Sequence, residues 1–565
     1  MIHIKKESKL KVSLKKANPL NDDMVTETKL NSKYVSDGIG ESYTQWNSYN
    51  SVFITAQTGQ GKNTFVEGVI IKENYAKILI VSNRIANSRQ QKERIAILKG
   101  CEQELEYLTP KGLDQKEDFN NVTILTYHKL DSELKNLLKY NELNRYSIVV
   151  FDECHFFMSD SLFNNKTGRI LTNSLRAFKN SVRIYMTATD DEVLPVIIEK
   201  EKLLWDKTIQ ALYSVGNPRE ICIRPKELLY YNFKRNYNYI NTKYFNSKNE
   251  LLDEIKNDRS ENKWLIFVSS KDDGEYFVDQ IGSNAVFITA ESKDSEQSDG
   301  KAYVEIVKEE KFSCKVLVST SALDNGVNFK DNLLKNVVIF THDKIEFLQM
   351  LGRKRITSNE KINLYICARN TAYFSKQLRI VNSKLEAIFC YRKNPSLFID
   401  KYFFEADSNK HEIAKQLFYR DGKLGLCLNE LAEKKLYNDK IFIKHMLYKL
   451  NSGFKEAFIL EQLSWLGLQK TYKHDLWVSY VSSNKNKATF LKFLDDNCDN
   501  DLSYEEFYSF GVKFKELATI AYGKQPGDRP DRNYKETKMR SFFKRYSLNY
   551  DIEIKNKVYT LRKIT

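Results

Sequence analysis

Residues 56–65, AQTGQGKNTF, carry two glycines and a lysine at the spacing of a phosphate-binding loop. They follow a short apolar run and precede a helical stretch, so backbone amides can surround an anion at a helix N-terminus while Lys62 reaches the outer phosphates. A chance glycine-lysine pair is the alternative, and a second, carboxylate site is needed to exclude it. The predicted nucleotide-contacting residues are Thr58, Gly59, Gln60, Gly61, Lys62, Asn63 and Thr64.

The sequence FDECH, residues 151–155, provides a carboxylate pair at the end of another apolar run. There Asp152 can hold hydrated Mg²⁺, and Glu153 can orient or deprotonate an attacking water. An acidic turn at a strand end is the simpler alternative. The loop and the carboxylate pair in successive strand-loop units favour a nucleotide site, with Asp152 and Asn63 as metal ligands and Lys62, Asp152 and Glu153 as catalytic residues.

Repeated β-branched runs predict the strands that position these residues. Such continuous runs between helical stretches are typical of buried parallel strands. One set occupies residues 51–55, 77–82, 122–126, 147–151 and 183–189, and a second occupies 263–270, 284–289, 315–320, 336–341 and 362–368. We therefore predict an α/β fold with two tandem parallel-sheet domains at 45–215 and 216–372, after a basic arm at 1–44. A mostly helical region at 373–565 follows.

The composition indicates a folded protein with a polyanionic partner. The chain has 565 residues, 42% of them hydrophobic, and a net charge of +15. Residues 521–565 alone hold twelve Lys and Arg against five Asp and Glu, which favours nucleic acid as the partner. Eight isolated cysteines without a CxxC pair, and the lack of a signal peptide or long apolar run, predict a cytoplasmic protein that does not enter membranes.

In order along the chain, AQTGQGK, DECH, TAT (187–189), STSALDNGVNF (319–329) and QMLGRKR (349–355) resemble motifs I, II, III, V and VI of the superfamily 2 helicases. DECH is similar to the DExH-box form, and DNGVNF and QMLGRKR are similar to phage and herpesvirus-type origin-binding helicases. The resemblance implies that the two domains are RecA-like and that ATP and Mg²⁺ are the cofactors, with ATP bound between the domains. It also implies that Arg353 and Arg355 complete the site, with Gln349 at the γ-phosphate or its water and Gly326 at the nucleotide.

The resemblance also implies roles in coupling and in nucleic-acid binding. Coupling between nucleotide and nucleic acid is assigned to His155, Thr187 and Thr189. The predicted contacts to nucleic acid, DNA rather than RNA, are Ser82, Arg84, Thr126, Tyr127, Ser269 and Thr320. Each of these residues taken singly is more often a cap or turn residue, and only together do they outline a track.

Two positions depart from the family pattern. Asn63 stands where relatives have Thr or Ser, so it offers Mg²⁺ an amide oxygen instead of a hydroxyl. Met350 stands where many relatives have the first arginine of motif VI, and the last arginine comes one position early, which makes the role of Arg353 firmer than that of Arg355. We expect weakened metal affinity at a working site.

Two further segments have open interpretations. Residues 228–245 interleave aromatic and basic residues, as base-stacking platforms do, but an edge strand of the second domain gives the same alternation. A basic helix followed by a hairpin near Asn556 resembles a winged helix within residues 500–565, with Lys535, Lys538, Arg540, Lys544 and Arg545 as candidate DNA contacts.

The sequence predicts a DNA helicase or translocase that works in replication, recombination or defence, with proteins of those pathways as partners. The alternative is an ATP-gated DNA-binding protein with little turnover.

Overall fold

The computed structural model describes residues 24–47, 50–72, 76–83, 85–105, 110–139, 145–215, 227–295, 297–320, 327–357, 359–422, 424–523 and 533–564. The chain divides into two units. The first comprises residues 1–241 and 260–469, and the second comprises 242–259 and 470–565.

The first sheet has eight strands in the order β1–β8–β2–β7–β6–β3–β5–β4. All neighbours pair in parallel except β4, which is antiparallel to β5. The strands are β1 Val25–Leu30, β2 Asn50–Thr55, β3 Ile78–Ser82, β4 Asp118–Phe119, β5 Val122–Thr126, β6 Ile148–Phe151, β7 Val182–Thr187 and β8 Glu227–Phe233.

Helices on both faces explain why the central strands are buried on both sides. All six residues of β2 are buried, and they alternate between two cores: Val52 and Ile54 pack on one face and Phe53 on the other. The α-helices of this part are Val35–Ile39, Lys62–Phe65, Ile85–Leu98, Pro110–Gln115, Tyr127–Lys139, Phe156–Ser159, Thr167–Ala177 and Val193–Val215.

The edge-strand interpretation of residues 228–245 is wrong for its first half. Strand β8 returns to the first sheet and lies between β1 and β2. Its partner β1 supplies the edge, so residues 25–30 of the basic N-terminal segment are part of this sheet. Residues 1–23 lie outside the described ranges.

The second sheet follows the same parallel pattern. Its order is β11–β12–β10–β13–β14, and β9, which begins at Ile240 in the first unit, lies next to β14. The strands are β9 Ile240–Phe245, β10 Lys263–Phe267, β11 Ala285–Ile288, β12 Val316–Ser319, β13 Leu334–Ile339 and β14 Ile362–Cys367. The helices Lys271–Ile281, Ser298–Glu309 and Lys344–Leu351 connect them.

A mostly helical region follows β14. Its α-helices within the first unit are Thr371–Lys393, Pro395–Ile399, Ser408–Leu417, Glu430–Asn451 and Ala457–Trp465. A small antiparallel hairpin interrupts them, formed by β15 Phe418–Asp421 and β16 Gly425–Leu428. The predicted fold class, two tandem parallel α/β domains before a helical region, is confirmed.

The second unit has an aromatic core. It contains the helices Lys248–Asn257, Val478–Asp496, Tyr504–Tyr522 and Glu536–Arg545, and the strands β17 Asp501–Leu502, β18 Tyr550–Lys555 and β19 Val558–Lys563. The three strands form an antiparallel sheet in the order β17–β19–β18. Among the residues the structure describes, no helix in either unit is both long enough and apolar enough to cross a bilayer.

Candidate nucleotide site

The phosphate loop connects β2 to the helix Lys62–Phe65. Gly59 and Gly61 have φ angles of +92° and +79°, in the left-handed region that glycine enters without steric cost. The backbone N–H of Ala56 donates to the carbonyl of Thr187 on β7 at 3.1 Å, and that of Gln60 donates to the carbonyl of Gln57 at 3.1 Å. The chain's own hydrogen bonds therefore fix the shape of the loop.

Lys62 extends back along this loop. Its side chain is buried, and its Nζ donates to the carbonyl oxygen of Ala56 at 2.8 Å. Burial lowers the pKa of Lys62, while the carboxylates of Glu153 and Asp152 act in the opposite direction. The ammonium group thus lies where an added anion would stabilise it.

The carboxylate pair begins where β6 ends. The Asp152 N–H donates to the carbonyl of Val81 at 2.9 Å, and Oδ2 of Asp152 accepts a 2.7 Å hydrogen bond from Nε2 of Gln91. Glu153 has φ +49°, a costly conformation for a side chain of this kind. Gln91 was not identified from the sequence, because a single polar residue within a helix gives no local signal of its partner.

Burial acts differently on the two carboxyl groups. It raises the pKa of Asp152 to about 7, and the neighbouring Glu153 carboxylate adds to the rise. Burial also opposes charge on Glu153, but Lys62 and His155 outweigh it and lower the pKa of Glu153 to about 2. The pKa values of two carboxyl groups that share a buried space move apart in this way, because both groups cannot easily be ionised together. A divalent cation would favour the ionised form of both.

The predicted coupling residues form a buried chain of contacts. Nδ1 of His155 lies 3.3 Å from Oε2 of Glu153 and 3.2 Å from Oγ1 of Thr187. The N–H of Thr189 donates to Oγ1 of Thr187 at 3.0 Å. The carboxylate at the end of β6 is thereby linked to the end of β7.

The second wall comes from the helix Lys344–Leu351 and the turn after it. Nη2 of Arg353 donates to Oε1 of Gln349 at 3.4 Å, and both side chains are buried. At Gly352 an added Cβ would lie 2.7 Å from Oγ1 of Thr58. The turn therefore touches the phosphate loop, and a side chain at position 352 would push the two apart.

Arg355 lies on the same side. Its Nε donates to Oδ1 of Asn328 at 2.9 Å, and a Cβ added at Gly59 would lie 3.8 Å from its Nη1. Burial, together with the neighbouring positive charge of Arg353, lowers the pKa of Arg355 to about 10. Two guanidinium groups held together against their mutual repulsion are suited to a polyanion.

Both walls line one cavity of about 1400 Å³. Gln349, His155, Thr187 and Thr189 are buried and are not among the residues that line it, and Gly326 lies outside the described residues. The amide of Asn63 and the carboxylate of Asp152 supply hard oxygen donors that fit Mg²⁺. The predicted residues at the cavity are Thr58, Gly59, Gln60, Gly61, Lys62, Asn63, Thr64, Asp152, Glu153, Arg353 and Arg355.

The predicted nucleic-acid contacts divide into accessible and buried side chains. Ser269 is exposed, while Thr126 and Thr320 are half-buried at strand ends. The assignment of Tyr127 to nucleic-acid contact is corrected. Its ring stacks on Phe156 with centroids 4.1 Å apart, and its hydroxyl donates to the carbonyl of Asp152, so Tyr127 supports the carboxylate strand from the core. The side chain of Ser82 is also fully buried, and Arg84 lies outside the described residues.

The segment between β8 and β9 also lines the cavity, which was not predicted. Its backbone holds two loop glutamines: Nε2 of Gln60 donates to the carbonyl of Lys234 at 3.1 Å, and Asn236 N–H donates to Oε1 of Gln57 at 2.7 Å. Nε2 of Gln57 lies 3.4 Å from the hydroxyl of Tyr239. The connection between the two sheets is thereby tied to the phosphate loop.

A buried charge cluster joins three parts of the first unit. Nζ of Lys435, on the helix Glu430–Asn451, lies 2.5 Å from Asp343 and 3.2 Å from Glu192, and 2.8 Å from Asp439 on its own helix. Asp343 also caps the helix Lys344–Leu351. Burial opposes charge on Lys435, but the carboxylates outweigh it and hold its pKa well above the ordinary value.

Replacement of Lys435 by methionine is expected to lower the free energy of unfolding by about 3–5 kcal/mol, because it leaves buried carboxylates without their cation. Denaturant unfolding of the full chain measures this change. Lys434→Met is the matched control: the ion pair of Lys434 with Glu199 is solvent-exposed, so its loss should cost less than about 1 kcal/mol. Equal effects of the two substitutions would contradict a structural role for the cluster.

Comparison with known protein families adds one match. Residues 17–192 match the ResIII family, described as the res subunit of type III restriction enzymes. The matched range contains the phosphate loop and the DECH pair. A search of curated proteins found no match.

Solved helicase structures are similar at low identity. S. cerevisiae Dbp5 bound to RNA and ADP BeF3 is 15% identical, with TM-score 0.36, over 56% of this chain and 78% of its own. Mss116p bound to ssRNA and AMP-PNP is 14% identical, with TM-score 0.40, and the match covers 77% of this chain and 99% of Mss116p. Mycobacterium smegmatis Lhr bound to ssDNA and AMP-PNP is 13% identical, with TM-score 0.38, and the match covers 60% of this chain and 46% of Lhr. At these values, their ligands say nothing by themselves about this chain.

Proposed function

We propose that this protein is an ATP-driven nucleic-acid helicase or translocase of the DExH type that acts on DNA. The observation that carries the proposal is the single cavity whose one wall holds Lys62, Asp152 and Glu153 and whose other wall holds Arg353 and Arg355. A triphosphate fits between walls of this charge, because cations face it from both sides and hard oxygen donors lie beside it.

Binding of the triphosphate is assigned to the loop and its lysine. The backbone amides between Gly59 and Lys62 surround the phosphates, and the ammonium of Lys62 exchanges its contact with the Ala56 carbonyl for the outer phosphates. Asp152 and Asn63 would hold Mg²⁺, which when bound would neutralise negative charge on the phosphates. Gln91 keeps Asp152 oriented toward this task.

Hydrolysis is assigned to Glu153 and Arg353. Glu153 stays ionised because Lys62 and His155 stabilise its charge, so it can orient water and accept its proton. Arg353 stabilises the negative charge that develops on the transferred phosphoryl group. Because the two residues come from different sheets, hydrolysis depends on the closure of the two walls.

Coupling to nucleic acid is assigned to the chain from Glu153 through His155 to Thr187. Through these contacts, a change at the γ-phosphate shifts the end of β7. A nucleic-acid strand that crosses the two sheets would be contacted there. Ser269, Thr126 and Thr320 remain proposed phosphate contacts. The net charge of +15 for the whole chain favours a polyanionic ligand.

The decisive measurement is the ATPase rate across single-stranded DNA, duplex DNA, forked DNA and RNA. We expect single-stranded or forked DNA to raise hydrolysis many-fold, more than RNA does. Tight ATP-dependent DNA binding without turnover would instead identify an ATP-gated DNA-binding protein. Stronger stimulation by RNA would contradict the DNA assignment while leaving the ATPase intact.

Substitution of Asn63 by threonine tests the metal site. Asn63 is half-buried at the cavity, and a hydroxyl at that position is a compact Mg²⁺ ligand, so we expect the half-saturating Mg²⁺ concentration to fall by roughly three- to tenfold or the rate to rise. Titration of the ATPase rate with Mg²⁺ measures it. Asn451→Thr, the same substitution at an exposed position at the end of the helix Glu430–Asn451 and away from the cavity, is the control and should leave the titration unchanged. An unaltered titration in Asn63→Thr would remove Asn63 from the ligand set.

A further inference from the structure

The last part of the second unit has a definite order of elements. From Val478 the order is helix, short strand, two helices and a two-stranded hairpin. The short strand β17 pairs with β19, which also pairs with β18, so the central strand of the sheet is the last in sequence. This order of helices, short strand and hairpin resembles that of a winged helix, in which one side of the last helix can face a ligand.

The helix Glu536–Arg545 has two distinct faces. Met539, Phe542 and Phe543 are buried in the aromatic core, where Phe542 contacts Phe490 and Phe514. The opposite face carries short hydroxyl side chains and cations. Its exposed residues, with the residue before the helix, are Lys535, Thr537, Arg540, Ser541, Lys544 and Arg545.

The hairpin turn adds charge to the same module. Lys555, Asn556 and Lys557 are exposed, and Asn556 and Lys557 have φ angles of +49° and +66°, which form the tight turn between β18 and β19. Several cations of the module pair within it: Arg540 with Asp551, Lys555 with Glu553, Arg562 with Asp499 and Lys563 with Asp495. Lys544 and Arg545 at the helix end and Lys557 at the hairpin tip are exposed, so a polyanion can reach them from solvent.

We propose that residues 478–523 and 533–564 form a winged helix that binds duplex DNA, with the helix Glu536–Arg545 in the major groove and the 555–557 turn at the neighbouring backbone. An α-helix with side chains is about as wide as the major groove, roughly 10–12 Å. Single-strand sites rely on exposed aromatic side chains, and the exposed face of this helix has none. The proposal goes beyond the ATPase function, since it requires nothing of the nucleotide cavity.

The test measures binding of a fluorescently labelled short DNA duplex to the full chain without nucleotide, as a function of salt. In the double variant Lys544→Glu with Arg545→Glu, we expect duplex affinity to fall at least about tenfold at low salt, and the slope of log affinity against log salt to decrease by about 2. Stimulation of the ATPase by single-stranded DNA should stay within about twofold of wild type, because the cavity is unchanged.

The matched control is Lys485→Glu with Lys492→Glu in the same unit. Both lysines are exposed on the helix Val478–Asp496, whose Phe490 and Leu494 face the core, and the change in charge is the same. We expect this control to alter duplex affinity by less than about twofold.

Equal losses in both double variants, or no loss in the first, would overturn the proposal. Competition by polyglutamate as effective as that by unlabelled duplex would also overturn it and would indicate an acidic protein partner. A wild-type protein without DNA-stimulated hydrolysis would count against the helicase assignment alone.

Discussion

Alanine at position 353 is expected to lower the DNA-stimulated ATPase rate by about three to five orders of magnitude, with little change in ATP affinity. Arg353 is buried on the wall opposite Lys62 and Glu153, and its positive charge acts on Glu153. A guanidinium so placed contributes most when charge develops on the transferred phosphoryl group. Steady-state kinetics at saturating ATP, Mg²⁺ and single-stranded DNA measure the effect.

Arg392→Ala provides the control. Arg392 pairs with Glu433 near the surface of the same unit, and its loss should alter the rate by less than about twofold. The ATPase rate of Arg355→Ala should lie between those of Arg353→Ala and Arg392→Ala, because Arg355 also lines the cavity. A rate for Arg353→Ala within tenfold of wild type would mean that the second wall does not take part in hydrolysis.

Methionine at position 62 is expected to abolish measurable ATP hydrolysis, a loss of at least about a hundredfold, because it removes the positive charge that we assign to the outer phosphates. Methionine retains most of the buried volume. Removal of a buried charge favours folding, whereas loss of its attraction to Glu153 and Asp152 opposes it. The thermal midpoint should therefore change by less than about 4 °C.

Lys62→Arg separates charge from shape. It keeps a cation, but the planar guanidinium does not fit the contact with the Ala56 carbonyl, so we expect activity to stay low. Full activity in Lys62→Met would exclude the phosphate loop as the nucleotide site, and a collapse of thermal stability would reassign Lys62 to a structural role.

The elements around the phosphate loop were predictable because their signals are local. A glycine loop after a buried apolar strand, and a carboxylate pair after another, place their side chains at the same edge of a parallel sheet whatever the strand order. The contact between Gly352 and Thr58 agrees with an arrangement inferred from motif order alone. The roles of the individual residues remain predictions that the experiments above test.

Other features depended on packing between distant segments. Residues 228–245 alternate as an edge strand does, but β8 pairs in parallel with two strands of the first sheet. Hydrogen bonds on both sides and the burial of Leu228 and Tyr230 stabilise β8 there more than an exposed edge position would. In the sequence, Tyr127 has the position of a polar residue at a strand end. The aromatic rings stacked on it in the structure show that it belongs to the core.

From the sequence by itself, periodicity predicted the fold class, and the strand-loop context predicted the phosphate loop and the carboxylate pair, because these signals act over short distances. The resemblance to superfamily 2 helicases implied that Arg353 and Arg355 complete the site. Tertiary structure alone decided the place of β8, the burial of Tyr127, the support of Asp152 by Gln91 and the cluster around Lys435. Each of these features depends on a partner far along the chain, and the local sequence does not indicate which distant side chain will lie beside a given residue.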